Sequence, residues 1–349
     1  MSNPPEKGAA QSQATRVSAV VLAYKAEPWL RRAVEALLAS EKVTVDVVLV
    51  DNGCTTDDVE VLEKVDGVTV LRPGTNTGFA GGCNLGAASA TGEYLALVNG
   101  DAVVEPTTMS RLVEEASRPD VGIAVASVRL AEDPTLLNAG ANPIHVLGLS
   151  WSGRMGEPET LTEPVETAGA SGACVVVPKA HWDTLGGFDE AYFAYHEDAD
   201  LSIRTWRRGL RVLYVPDAVA VHRYEFSRND FKMYLVERNR LLFVSTLWSG
   251  RALVLLALPL AGLEAAMTLM AAAQGWFPAK VKGWRWLWSH RAHIRTRRRD
   301  LRAEATVPDR VWMTRLTTKV DASVIPVPAL AGAINGLVTI WWRVAGRWV

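Results

Sequence analysis

The chain predicts an α/β fold, a mostly parallel sheet covered by helices on both faces. Three observations carry this expectation. From Val17 to Leu130, short runs of aliphatic and β-branched residues alternate with amphipathic helical stretches. The strand runs are apolar throughout, as strands buried on both faces should be. Three of them end in polar residues, which in an open parallel sheet gather at the ligand crevice outside the strands' carboxyl ends.

Residues 17–24 (VSAVVLAY) read as the first strand. Pro28 then opens a helix in which Leu30, Ala33, Val34, Leu37 and Leu38 recur with helical spacing. Residues 45–50 form a second strand ending at Asp51, 57–64 a short helix and 68–71 a third strand. A Gly-rich loop is expected over 73–82 and a helix of small residues over 82–90. Residues 94–98 are a fourth strand leading to Asn99-Gly100-Asp101, 106–117 a helix and 122–130 a fifth strand. The stretch 131–166, rich in Pro, Gly and Thr, breaks the rhythm and reads as an irregular insertion or edge strands. Strand, helix and helix return at 175–178, 179–185 and 197–208. Two short strands, 211–215 and 218–221, flank a Pro216-Asp217 turn, and a helix over 229–248 closes this part. Residues 1–16 are polar, with no apolar secretory segment, and are expected to form a disordered tail.

At 349 residues and 49% hydrophobic, the chain has material for one large domain or two. Its 37 basic and 38 acidic residues argue against nucleic acid as a charge-driven partner and against a disordered, solvating chain. Three widely spaced cysteines make neither a disulfide framework nor a zinc signature and fit a reducing compartment. The charge is unevenly spread, however. Residues 280–320 hold 12 basic and 3 acidic side chains, a local +9 against −10 elsewhere. Residues 252–273 carry one charge, Glu264, and 323–342 carry none, while nine of the 13 tryptophans lie beyond residue 240. Long apolar runs, tryptophans at their edges and a dense basic block are membrane-interface features. The plain alternative is a helical accessory domain.

The strand ends supply Tyr24-Lys25, Asp51-Asn52 and Asn99-Gly100-Asp101. Any one alone is an ordinary turn former; three at one sheet edge point to a ligand. Lys25-Ala26-Glu27-Pro28-Trp29 after the first strand lacks the glycines of a dinucleotide fingerprint, and no Walker-type loop is present. A dehydrogenase and a P-loop kinase are therefore disfavoured. Glu197, Asp198 and Asp200 crowd a helix start after His196. Mutual repulsion there raises a carboxyl pKa and suits a general base, although the macrodipole softens the effect. An acidic helix start, with Asp200 paired to Arg204 at i, i+4, is the bland alternative. His222, ending a short strand, is a metal ligand or a hydrogen-bonded structural residue.

Several blocks occur in one order: VVLAY at 20–24, VDNG at 50–53, NTGFAGGCNLGA at 76–87, LVNGDAVVEP at 97–106, GACVVVPKAHWDTLGGFDEAYFAYHEDADLSIRTWRRG at 172–209 and YVPDAVAVH at 214–222. Together they resemble glycosyltransferase family 2, most of all its bacterial rhamnosyltransferase-like branch, which builds cell-envelope polysaccharides. The resemblance implies a GT-A, Rossmann-like catalytic domain over 17–248, and a helical, membrane-associated region is expected over 249–349. It implies inverting transfer of a sugar, rhamnose favoured, from a dTDP- or UDP-linked donor to a hydroxyl of a cell-envelope glycan or polyprenyl-linked acceptor. In that scheme Asp51 binds the pyrimidine beside Tyr24, and Asn76 and Gly78 lie along the nucleotide. Asn99-Gly100-Asp101 replaces an Asp-x-Asp element, leaving Asp101 as the carboxylate for Mg2+ or Mn2+, with His222 completing the metal site. Asp198 matches the base, Glu197 and Asp200 position base or acceptor, and Gly187, Phe188 and Asp189 shape the acceptor pocket.

Nucleotide sugars are cytosolic and basic segments stay cytoplasmic. A single crossing by 252–273 would put the basic block on the wrong side. The expected arrangement is thus a monotopic anchor on the cytoplasmic face of the cell membrane, with 280–320 on an anionic membrane surface. Two true spans are its rival. A catalytically idle GT-A-like membrane scaffold is the competing function.

Overall fold

The computed structural model describes residues 14–224, 229–321 and 328–349. Its first half contains β1 (Arg16–Lys25), α1 (Leu30–Leu38), β2 (Thr44–Cys54), α2 (Asp58–Leu62), β3 (Val68–Leu71), α3 (Gly78–Ser89), β4 (Tyr94–Asn99), β5 (Ala102–Val104), α4 (Thr108–Ala116) and β6 (Val121–Leu130). There follow β7 (Leu137–Ala139), β8 (Val165–Glu166), β9 (Cys174–Pro178), α5 (Lys179–Leu185), α6 (Glu197–Arg207), β10 (Arg211–His222) and α7 (Asp230–Leu247).

The main path of the sheet runs β3-β2-β1-β4-β9-β6-β10-β5. β1, β2, β3 and β4 pair in parallel, as do β6 and β10. β9 is antiparallel to both β4 and β6, and β5 to β10. The sheet is therefore mixed, not mostly parallel. β9 is buried from Cys174 to Val177, and a strand covered on both faces reads alike in either direction.

Side-chain alternation builds a core on each face. Val20, Val48, Leu95, Leu97 and Val175 meet α3, α5, α6 and α7 on one side. Val21, Val47, Leu49, Ala96 and Val176 meet α1, α2 and α4 on the other. Helix α1 buries Leu30, Ala33, Val34 and Leu37, as its periodicity requires. The expected Gly-rich loop is shorter, because α3 starts at Gly78. These glycines let the helix lie directly on β1. A Cβ on Gly86 would sit 2.4 Å from Val20 Cγ1. The two expected strands around Pro216-Asp217 are one strand, β10, with an irregularity between Val215 and Val219. Arg16 belongs to β1, so the expected tail is shorter than 1–16; residues 1–13 lie outside the described residues.

Beyond α7 the chain is helical: α8 (Gly250–Leu255), α9 (Ala257–Ala273), α10 (Phe277–Ser289), α11 (Arg291–Glu304), α12 (Asp309–Trp312) and α13 (Pro328–Ala345). Among the described residues no helix is long and apolar enough to cross a membrane. Residues 252–273 divide at Leu256 into α8 and α9. Of the second apolar run, 323–327 lie outside the described residues. Nor does a boundary at 248 divide the packing. The Trp248 and Trp312 rings stand 5.4 Å apart, and Leu301, Met313, Leu316 and Val338 join the core under α6 and α7.

The basic block also turns partly inward. Lys280 Nζ donates to Glu237 Oε2 (2.8 Å) and pairs with Glu264 (3.0 Å), which also binds Arg240. Arg297 pairs with Asp189 and with Asp200 of α6. These cations neutralise acids of the body rather than facing outward, which corrects the expectation that all of 280–320 lies on a surface.

Gly86→Ala should cost about 1–3 kcal/mol by overpacking α3 against β1. Thermal denaturation should show a fall in Tm of several degrees with the secondary structure retained.

Candidate active site

An open cleft of about 420 Å³ lies at the carboxyl ends of β1, β2 and β4, lined in part by Tyr24, Asn52, Asn76, Gly78, Asn99 and Asp101. Five of these six are residues anticipated from the sequence. Tyr24 is 45% exposed and offers its ring for stacking. Asp51 does not line the cleft: its Oδ1 accepts from the Gly53 and Cys54 amides (3.2 and 3.0 Å), shaping the turn under Tyr24. Its neighbour Asn52 faces inward instead. Asn52 Oδ1 accepts from Thr77 N (2.8 Å) and Nδ2 donates to Gly78 O (3.0 Å), fastening the start of α3 to β2. Asn76 Oδ1 accepts from Gly78 N (2.8 Å), closing the same turn.

The opposite wall is the segment 192–196. Phe193, Tyr195 and His196 all have positive φ (64°, 71° and 71°), a conformation that costs non-glycine residues about 1–3 kcal/mol each. Helix α7 holds it. Asn239 Nδ2 donates to the carbonyls of Tyr192, Ala194 and Tyr195 (2.9, 2.8 and 2.7 Å), and Arg238 Nη2 to those of Ala191 and Tyr192 (2.8 and 2.7 Å). Phe193 O in turn accepts from Ala80 N (3.0 Å). Gly78, itself at φ +74°, permits this approach, since a Cβ there would lie 2.4 Å from Phe193 O. Sequence reasoning named Asn52 only as a strand-end residue, without a role, and missed Arg238 and Asn239. The polar run Glu237-Arg238-Asn239-Arg240 between apolar stretches of one helix was the available signal.

Helix α6 starts directly after this turn. Asp198 Oδ1 accepts from Ala199 N (2.7 Å) and Oδ2 from Gly172 N (3.2 Å). The next residue, Ala173, accepts through its carbonyl from Asn99 N (3.0 Å) at the cleft edge. Asp198 is thus tied to the end of β4 through one short loop. Burial raises its pKa against the three backbone hydrogen bonds that favour the ionised form. Glu197 is 6% exposed, and among the described residues its Oε2 has no hydrogen-bond partner. Burial first, then the neighbouring Asp198, pushes its pKa well above the ordinary value.

Asp200 is elsewhere. It is fully buried and takes Arg204 Nε (2.7 Å), Arg297 Nη2 (2.8 and 2.7 Å) and the Tyr192 hydroxyl (3.1 Å). Burial would raise its pKa, but Arg204 and Arg297 outweigh it and hold the carboxylate below its ordinary value. Its expected role toward base or acceptor is replaced by that of a structural anion clamping α6 to α11. The expected acceptor residues are likewise corrected. Phe188 is 4% exposed, packed edge-on against Trp182 (5.0 Å). Gly187 O accepts from Arg204 Nη2 (2.6 Å), and Asp189 pairs with His293 and Arg297 (2.9 and 2.8 Å). They pack behind the start of α6 rather than forming a surface open to a ligand.

His222, at the end of β10, meets Asn138 Oδ1 through Nδ1 (2.8 Å) and Asp101 Oδ1 through Nε2 (3.0 Å). In one tautomer Nε2–H donates to Asp101; in the other the Nε2 lone pair and the Asp101 carboxylate oxygen face one another, and in that arrangement the two would fit a divalent ion. Among the described residues no three His, Cys, Asp or Glu side chains converge. Protein ligation would therefore rest on Asp101 and His222, with the remaining ligands from a donor diphosphate and water, a habit of Mg2+ in particular.

Residues 18–185 match the family described as glycosyl transferase family 2. This segment is a family 2 glycosyltransferase domain. The chain is 29% identical over 232 residues to the N-acetylglucosaminyl-diphospho-decaprenol L-rhamnosyltransferase of Mycobacterium tuberculosis, covering 58% of this chain and 74% of that protein. It is 30% identical over 226 residues to the O-antigen biosynthesis protein RfbC of Myxococcus xanthus, covering 60% of this chain and 17% of that one. Among solved structures, GalNAc-T7 with UDP, GalNAc and Mn2+ superposes with a TM-score of 0.57 at 18% identity, over 69% of this chain and 49% of that one. A mannosyltransferase of Pyrobaculum calidifontis in complex with GDP-Man and Mn2+ superposes with a TM-score of 0.50 at 16% identity, over 97% and 84% of the two chains. These structural likenesses establish the fold of the family 2 glycosyltransferase domain. The family assignment makes the chain a nucleotide-sugar-dependent glycosyltransferase.

Glu197 gives a stability test. Its folded pKa is raised above the unfolded one, so its contribution is fully present below about pH 4.5 and is lost as pH rises toward the folded pKa. Glu197→Gln removes that loss. The variant should melt several degrees above the parent at neutral pH, and the gap should close in scans below about pH 4.5.

Proposed function

We propose that this glycosyltransferase is inverting and moves a sugar, rhamnose favoured, from a dTDP- or UDP-linked donor to a hydroxyl of a polyprenyl-linked envelope glycan, at the cytoplasmic face of the cell membrane. The observation that carries the reading is the short link from donor cleft to base: Asn99 N to Ala173 O, and Gly172 N to Asp198. The printed name of the mycobacterial relative, a rhamnosyltransferase acting on a diphospho-decaprenol, supports the donor and acceptor.

The nucleotide base stacks on the Tyr24 ring, and the diphosphate points to Asp101 and His222. A divalent ion held there would neutralise charge on the departing diphosphate. Asp198 accepts the proton of the acceptor hydroxyl. The new carbon–oxygen bond forms on the face of the anomeric carbon opposite the diphosphate as the old bond breaks, so a single displacement inverts the configuration. Burial and the neighbouring Asp198 push the Glu197 pKa up, which disfavours a second negative charge beside Asp198. The open cleft, with its base and cation-binding pair both present, disfavours an idle scaffold.

The membrane part of the proposal rests on the surface beyond α7. Most of the large apolar side chains exposed among the described residues lie there, including Val254, Leu258, Leu269 and Leu337. Glu264, the one charge of 252–273, turns inward to Arg240, Lys280 and Trp284. The outward face of α9 is left apolar, which suits a helix lying in the interface plane.

A panel of nucleotide sugars, each assayed with a polyprenyl-linked acceptor, tests the reaction; transfer from none would return the scaffold. Asp198→Asn should lower kcat by roughly 10²–10⁴-fold while donor affinity, by calorimetry, changes less than about twofold. Asp101→Ala should abolish the response of the rate to added Mg2+ or Mn2+. Full activity of either variant after chelation would contradict these roles.

A further inference from the structure

We infer that Arg310, Arg343 and Arg347 form a binding site for the phosphate of an anionic phospholipid headgroup. The three side chains line one pocket of about 170 Å³ between the segment that follows α11 and the end of α13. Met313, Thr314, Trp342, Gly346 and Val349 complete its wall, and no Asp or Glu side chain lines it. Several other arginines of this half of the chain are matched. Arg297 has Asp189 and Asp200, Arg240 has Glu237 and Glu264, and Arg315 has Glu166. Among the described residues Arg310, Arg343 and Arg347 make no ion pair, as is true also of Arg285, Arg291 and Arg295; what sets the three apart is that they surround one pocket. Three guanidinium groups around one small pocket repel one another, and an anion relieves that repulsion. Guanidinium forks match phosphate oxygens bidentately.

The neighbourhood identifies the anion's carrier. On α13, Leu337, Ile340, Trp341 and Val344 are exposed at i, i+3, i+4 and i+7, and Trp348 continues the stripe. Arg343 and Arg347 flank that stripe, where a long basic side chain keeps its head at the water boundary while its stem covers apolar surface. Trp341 Nε1 donates to Leu255 O (2.8 Å), which sets the exposed Val254 of α8 beside the same face. The pocket is too small for a nucleotide sugar when compared with ordinary ligand sites of about 300–1,000 Å³. A free phosphate would satisfy the arginines but not explain the apolar stripe beside them. The inference rests on the interfacial reading proposed above and adds to it a defined headgroup site.

Flotation of the full-length protein with phosphatidylcholine vesicles, with and without phosphatidylglycerol, tests it. The parent should bind the mixed vesicles more tightly, and Arg343→Ala/Arg347→Ala should weaken that binding on the order of fivefold per arginine. The control Arg291→Ala/Arg295→Ala removes equal charge from exposed positions on α11 and should weaken it less. Arg343→Lys/Arg347→Lys keeps the charge but loses the fork, and should resemble the alanine pair more than the parent. Donor binding, unchanged in all variants, confirms that they fold. Equal losses in the pocket and control pairs would overturn the site in favour of diffuse attraction. Arg343- and Arg347-dependent binding of inorganic phosphate or glycerol phosphate at micromolar concentration without vesicles would assign the site to a free anion and overturn the lipid assignment. A parent that binds neither vesicle would defeat the interfacial reading itself, whereas anionic binding that survives in the alanine pair would defeat only the pocket.

Discussion

The 192–196 turn is the constraint on which the active site depends. Three non-glycine residues adopt left-handed backbone there. The compensation comes from α7, where Asn239 collects three carbonyls and Arg238 two more. Arg238 lies under the Trp286 ring at 4.3 Å, so α10 reinforces the clamp. One end of the turn meets α3 at Gly78 and Ala80 and forms a wall of the donor cleft. Its other end launches α6, and with it Glu197 and Asp198. The proposed donor site and the proposed base thus share one strained turn.

Charge joins the same parts. The acidic body and the basic stretch after it are not separate surfaces. Arg297 reaches from α11 to the buried Asp200, and Lys280 from α10 to Glu237. Such buried pairs contribute little net stability against apolar replacements, but removing one partner strands a charge at a cost of about 3–5 kcal/mol. The helices beyond 248 are therefore part of the catalytic architecture. What they leave outward is an apolar face edged by arginines.

Much of this was legible in the sequence. Strand runs and helical periodicity located the elements, because a core on each sheet face demands those patterns. The strand-end rule picked out Tyr24, Asn52, Asn99 and Asp101, which line the cleft, and like-charge crowding picked out Glu197 and Asp198, whose carboxyl pKa values burial raises. Three things were hidden. The direction of β9 was, since a strand buried on both faces carries no sign of polarity. So were the burial of Asp200 and Asp189 and the inward turn of Lys280, which depend on cations about a hundred or forty residues away in the chain. Asn239 was hidden too, because one member of a polar run in a helix shows its purpose only when the strained carbonyls come to it.

The shared turn can be probed directly through steady-state kinetics of Asn239→Ala, corrected for the folded fraction. Coupling of cleft and base through the turn predicts that donor KM rises and kcat falls together, each by roughly tenfold or more. It also predicts that the pH profile shifts with them, because Asp198 loses its fixed surroundings. A variant that is merely less stable, with parental KM, kcat and pH profile per folded molecule, would contradict the account.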